Sequence, residues 1–221
     1  RGSIKFKPTD PQADENVDFS ISGFRFEQSP SVTAVGGVQI VNCSVDYPLR
    51  RIKIFDNNFI WRSDSAALQT QLMLNFVGYT YGVIYNNVFD GRHPYFYIAT
   101  PNSLDATMTA QGNGCSYYGG RHSIMTYTYP GGTGDAIYFE DNTLYYRDMS
   151  GVHFGGGAFG GYFIIRYNSH YFYDDDRGYQ NGWQTHGAYL YTTGGAGVEV
   201  YGNYFNGTST SSLYRQSIMF C

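Results

Sequence analysis

A short phrase recurs along this chain and limits what the chain can fold into. Two apolar residues alternate with other residues, a turn residue follows, then an asparagine, then an apolar residue two places on. It reads Ile52-Lys53-Ile54-Phe55-Asp56-Asn57 and runs on to Phe59. It returns as Gly82-Val83-Ile84-Tyr85-Asn86-Asn87 to Phe89, and as Ile137-Tyr138-Phe139-Glu140-Asp141-Asn142 to Leu144. Two more copies are Phe163-Ile164-Ile165-Arg166-Tyr167-Asn168 and Val198-Glu199-Val200-Tyr201-Gly202-Asn203, the latter running on to Phe205. The asparagines are spaced 30, 55, 26 and 35 residues apart.

Counting from the asparagine as zero, alternation puts positions −5 and −3 on one face of a strand, and both are apolar in nearly every copy. Repeats of this length made of short strands stack as a solenoid, because one repeat cannot bury its apolar face alone. Stacked parallel strands lie about 4.8 Å apart, so equivalent side chains sit above one another. An asparagine at each turn can then bond its amide to the asparagine of the next coil. The predicted class is all-β, a parallel β-solenoid with the asparagine marking a corner.

Two weaker copies precede these. Phe19-Ser20-Ile21-Ser22-Gly23-Phe24 runs on to Phe26, and Val38-Gln39-Ile40-Val41-Asn42-Cys43 runs on to Val45. Cys43 and Asn57 are too close for a full coil, so one weak match is false or the two lie on different sheets. The spacing of 55 stands for two coils, or for one coil with a long insertion. Residues 91–134 hold no copy and are rich in Gly, Pro, Asn and Ser. They read as a long loop insertion within a single domain of residues 1–221, and loops of that length are usually functional.

Composition agrees with strands and tight turns. Aromatic residues make up 19%, with 23 Tyr and 16 Phe, and charged residues only 14%. That mixture opposes disorder. The net charge is −4 and no basic stripe is visible, so nucleic acid is not an expected partner. No apolar run reaches the length of a membrane span. Cys43, Cys115 and Cys221 have no metal-site spacing. The chain starts at Arg1, and the expectation is a segment of a longer protein.

The stretches VDFSISGFRF, RIKIFDNNF, YGVIYNNVFDG, AIYFEDNTL, GGYFIIRYNS, THG and GVEVYGNYF, in that order, resemble the right-handed parallel β-helix repeat proteins of the pectate-lyase-like superfamily. More narrowly, they are similar to secreted or surface bacterial members of that group, over about residues 17–206. The resemblance implies an extracellular setting and a carbohydrate as ligand or substrate. It does not extend to the polygalacturonase-like hydrolases. Arg51-Ile52-Lys53 is present, but it precedes every other motif, and the Asn-Thr-Asp segment of that group is absent.

Several residues are candidates for chemistry. Outward position −2 reads Phe55, Tyr85, Glu140, Arg166 and Tyr201. Stacked in neighbouring coils, Glu140 and Arg166 would form a surface ion pair of little energetic weight. Alternatively, they would belong to a sugar-binding stripe, with Tyr85, Tyr138, Tyr201 and Trp183 packing on sugar rings. A catalytic reading draws on Arg166, His186, Glu140 and Asp176, with His186 as acid or base. His153, His170 and His186 fall in consecutive coils, although a histidine packed at a coil corner is the plainer reading. Asp174, Asp175 and Asp176 form an acidic loop that could take calcium, without the spacing of a dedicated calcium loop. No other cofactor is expected.

Two functions follow as expectations. One is an extracellular or cell-surface module for carbohydrate recognition or adhesion, as in an appendage, filament or spike. The other is a polysaccharide lyase or glycoside hydrolase. No amphipathic capping segment is visible at either end, so flanking protein or end-to-end self-association is expected to cover the terminal coils.

Overall fold

The computed structural model describes residues 4–6, 10, 18–28, 38–42, 49–62, 74–78, 80–92, 136–147, 152–154, 162–173, 180–185, 197–207 and 217–220. These form strands β1 (Ile4–Phe6), β2 (Phe19–Ser22), β3 (Arg25–Gln28), β4 (Val38–Asn42), β5 (Leu49–Phe55), β6 (Asn58–Arg62), β7 (Leu74–Gly78), β8 (Thr80–Tyr85) and β9 (Val88–Arg92). They continue as β10 (Ile137–Glu140), β11 (Thr143–Arg147), β12 (Val152–Phe154), β13 (Tyr162–Arg166), β14 (Ser169–Tyr173), β15 (Gln180–Thr185), β16 (Gly197–Tyr201), β17 (Tyr204–Gly207) and β18 (Ser217–Phe220). No helix occurs among the described residues.

The molecule is all-β, and its strand pairs are parallel. One six-stranded sheet, the first ladder, has the order β16-β13-β10-β8-β5-β2. The second ladder has the order β17-β14-β11-β9-β6-β3. Two three-stranded sheets, β1-β4-β7 and β12-β15-β18, flank them. The chain passes from the first ladder to the second through a two-residue corner, and each return adds a strand parallel to the last. This arrangement is compatible with a parallel β-helix.

The register aligns the recurring phrase. Position −3 is filled in order by Ile21, Ile54, Ile84, Phe139, Ile165 and Val200. Position +2 is filled by Phe26, Phe59, Phe89, Leu144, His170 and Phe205. These rows supply much of the core, in which Ile54, Phe59, Phe139 and Leu144 are wholly buried. Phe26, Phe59 and Phe89 stack face to face with centroids 4.9 Å apart. Full burial of such a side chain is worth about 1.5–3 kcal/mol, so the repeated apolar positions are the main cohesive force between turns. Gly82 interrupts row −5 for a steric reason. A Cβ there would lie 2.1 Å from the Ile52 carbonyl oxygen, beside an irregularity in pairing between Leu49 and Ile52.

The corners explain the asparagines. Asn57, Asn87, Asn142 and Asn168 are each 1% exposed. Asn87 Oδ1 accepts from the backbone N–H and the side-chain amide of Asn57, at 3.1 and 3.0 Å. Its own amide donates to the carbonyls of Ile54 and Tyr85 and to Asn142 Oδ1. The same pattern links Asn142 to Asn168 and Asn168 to Asn203. The residue before each asparagine is left-handed: Asp56, Asn86, Asp141, Tyr167 and Gly202 have φ between 53° and 66°.

Three sequence expectations are refined. The Phe19–Phe24 copy is a true turn of the ladders, with Gly23 in the left-handed position and Phe24 in place of asparagine. The Phe24 N–H donates to Asn57 Oδ1 at 3.0 Å. The Val38 copy is not a ladder turn. Its strand, β4, pairs with β1 and β7 in a flanking sheet, so the two weak matches lie on different sheets. The spacing of 55 spans one turn, because β8 pairs directly with β10 and β9 with β11. Gly91 and Arg92 belong to β9, so the segment between these turns is 93–135, which lies outside the described residues. Cys43, Cys115 and Cys221 also lie outside them.

Candidate functional site

Position −2 lies on the outer face of the first ladder, where parallel register aligns Phe55, Tyr85, Glu140, Arg166 and Tyr201 on successive turns. The Phe55 and Tyr85 rings stack at 5.0 Å, nearly parallel. Beyond them the row becomes polar. Arg166 Nε and Nη2 both meet Glu140 Oε2 at 2.5 Å, and Nη1 donates to the Tyr201 hydroxyl at 3.0 Å. The guanidinium carbon lies 5.1 Å from the centre of the Tyr138 ring and 5.8 Å from that of Tyr167. The Arg166 and Glu140 side chains are 29% and 19% exposed, so the pair is only partly open to water.

Hydrogen bonds to Tyr201 and Glu140 raise the Arg166 pKa above its ordinary value, so the guanidinium stays charged. Burial raises the Tyr138 pKa, opposed by the nearby Arg166 charge, so its hydroxyl stays protonated. A fixed cation, a carboxylate and phenol hydroxyls beside aromatic faces can hold a polyol: rings pack on sugar C–H surfaces, and the polar atoms bond hydroxyls.

Tyr167 is part of this site and was not among the sequence candidates. It is 54% exposed and holds the left-handed corner at φ 57°, where other turns use Asp, Asn or Gly. Its ring meets Tyr201 edge-on at 5.7 Å. Gly202, the next corner, leaves space for it, since a Cβ there would fall 2.6 Å from the Tyr167 ring. The signal was present in the sequence as the one bulky residue among the corner positions.

No family model matches the chain, and no curated protein or solved structure matches it. The site is therefore read from its own geometry.

Tyr85, Tyr138, Glu140, Arg166 and Tyr201 share the first ladder's outer face, at positions −2 and −4. Trp183 does not join them, because its strand, β15, belongs to a flanking sheet. His186, Asp174, Asp175 and Asp176 lie outside the described residues. Among the described residues no group of three or more His, Cys, Asp or Glu is placed to hold a metal. His170 is a core residue. It is fully buried in row +2 and stacks on Phe205 at 4.5 Å, and burial lowers its pKa to about 3. His153 is in β12 of a flanking sheet.

A second aromatic group lies on the outer face of the second ladder. Tyr145 stacks on Tyr171 at 5.3 Å, Tyr173 lies 6.1 Å from Tyr145, and Tyr204 meets Tyr171 edge-on at 6.1 Å. Tyr173 and Tyr204 are exposed. Position −2 alone gives no hint of this group.

Proposed function

We propose that the chain is a right-handed parallel β-helix module that acts outside the cell or at its surface. In this reading the face around Arg166 binds a polysaccharide or surface glycan. The fold reading is supported by two ladders that each gain one in-register parallel strand per turn. The binding reading rests chiefly on Arg166, which is held between Glu140 and Tyr201 with two tyrosine rings near its guanidinium. Its side chain needs little reorganisation on binding, and pre-organisation lowers the cost of recognition.

The catalytic alternative, a polysaccharide lyase or glycoside hydrolase, has less support. A base needs a pKa brought down toward neutrality, whereas the partners of Arg166 raise its pKa.

The test is a panel of neutral and anionic polysaccharides, assayed for binding and for release of reducing ends or unsaturated uronates, with and without calcium. The parent is run beside Arg166→Ala and Tyr201→Ala. Binding without turnover, weakened about tenfold or more in each variant, is the expected result. Turnover lost in Arg166→Ala would replace the binding reading with the enzymatic one. Binding unaffected by either substitution would remove the site.

A further inference from the structure

Glu140, Arg166 and Tyr201 hold position −2 of three consecutive turns of the first ladder, with Arg166 in the middle. Nε of Arg166 donates to Glu140 Oε2 at 2.5 Å, and Nη2 lies at the same distance from that oxygen. The Nε–Nη2 edge is one side of the fork with which arginine bonds a planar oxyanion through two donors. Here a carboxylate of the same chain occupies it.

Three groups keep unused capacity. Glu140 Oε1 accepts no hydrogen bond from the described residues, and its side chain is partly open to water. The Tyr201 hydroxyl accepts from Arg166 Nη1, so its own proton is still available, and the residue is 40% exposed. Nη1 has a second proton beyond the one given to Tyr201. An acceptor at Glu140 and donors at Arg166 and Tyr201 thus follow one another along the row. The outer two stand on strands about 10 Å apart, two strand spacings.

A hydroxyl both donates and accepts, so the hydroxyls around a sugar ring answer to both kinds of group. A carboxylate or sulfate only accepts. It can take protons from Tyr201 and Arg166, but it meets Glu140 as a like charge. The Arg166 charge is already matched at contact distance, so an anion gains little net attraction. Other carboxylates stand close. Glu199 interacts electrostatically with the Tyr138 hydroxyl, and Asp141 is exposed at the corner beside Glu140. Tyr167, 54% exposed, supplies an aromatic surface for sugar C–H groups.

We propose that the Arg166 face selects an uncharged glycan over acidic polysaccharides, with Glu140 accepting from one ligand hydroxyl while Tyr201 and Arg166 donate to others. This rests on the glycan reading above and adds the class of sugar to it. Glu140 is the residue that sets the specificity.

The experiment measures affinity of the full chain for a neutral panel of glucans, mannans and galactans, for a polyuronate and for a sulfated polysaccharide, at low and high salt. Glu140→Gln, Tyr201→Phe and Arg166→Ala are compared with the parent, each checked for the parent's circular dichroism and melting profile. The parent is expected to bind at least one neutral polymer with little dependence on salt, and to bind both acidic polymers about tenfold or more weaker. Glu140→Gln removes the carboxylate charge and leaves Arg166 unmatched. Acidic polymers should then gain about tenfold at low salt, and high salt should erase the gain. Tyr201→Phe removes only the hydroxyl and should weaken the neutral polymer several-fold. Acidic polymers bound by the parent as tightly as the best neutral one, with loss in Arg166→Ala, would overturn this inference and leave the glycan reading standing. Neutral binding with no gain for acidic polymers in Glu140→Gln would do the same. No polysaccharide bound by the parent, or binding indifferent to Arg166→Ala, would remove both. If Glu140→Gln does not fold, Tyr201→Phe and the parent's ranking of polymers carry the test.

Discussion

His170 and Tyr167 are single-residue departures from their rows, and they differ in kind. At His170 a titratable ring takes a place that phenylalanine or leucine fills on other turns, and burial lowers its pKa from 6.5 to about 3. Above pH 6.5 neither the folded nor the unfolded ring binds a proton, and His170 adds no pH dependence. Between 6.5 and about 3 only the unfolded chain takes up the proton, so stability falls with acid by about 1.4 kcal/mol per pH unit. His170→Phe is therefore expected to flatten the acid limb of stability over that window and change little at pH 8. Denaturant midpoints measured against pH check this, and an unchanged acid limb would contradict it. At Tyr167 the departure is in the backbone. A left-handed conformation costs a non-glycine residue about 1–2 kcal/mol, and ring contacts with Tyr201 and Arg166 return only part of it. Tyr167→Asn, copying Asn86, should raise stability by up to about 1 kcal/mol and weaken glycan binding. Stability and affinity moving in opposite directions is the signature of strain retained for function.

Turns are joined by the asparagine corner, and its bonding has a direction. Each side-chain oxygen accepts from the turn before, and each amide donates toward the turn after. Asn87 is bonded on both sides in a buried position, so Asn87→Ala orphans the Asn57 N–H and leaves the Ile54 and Tyr85 carbonyls without its amide. At about 1–3 kcal/mol for each buried group left unsatisfied, a loss of about 3–5 kcal/mol is expected. Asn203 is less buried, and Asn203→Ala should cost less than half as much. Thermal or chemical unfolding of the two variants measures the ratio, and equal losses would mean that the corner bonds do not carry this energy. The corner was legible in the sequence because in-register stacking makes the same side chain useful on every turn. Rows −3 and −5 were legible for the same reason. The Val38 phrase misled because apolar alternation looks the same on whichever sheet a strand joins. The plainer reading of His170 as a packed ring agrees with the structure, but its place in the core row rather than at a corner shows only through the register, because sequence alone does not distinguish a buried row from an exposed one.

At the scale of the whole molecule, each described ladder strand pairs with the strands of the adjacent turns, so the ladders tolerate what lies between them. The segment 93–135 joins two turns that pair directly, as do the shorter segments elsewhere. Loop closure depends on length only logarithmically, about 0.6 kcal/mol per doubling, so the long connection itself costs the ladders little. The shorter route from β6 to β8, residues 63–79, includes β7 of the flanking sheet. Replacing 93–135 with a copy of 63–79 is therefore expected to leave both ladders intact. Stability should change by no more than about 1–2 kcal/mol. Strand-rich circular dichroism and a single cooperative transition would be retained. Binding separates the contributions further. If the face around Arg166 acts by itself, the shortened chain keeps its affinity for the glycan. Loss of binding with the fold retained would assign recognition to the inserted segment, and loss of the fold would make that segment part of the structural core.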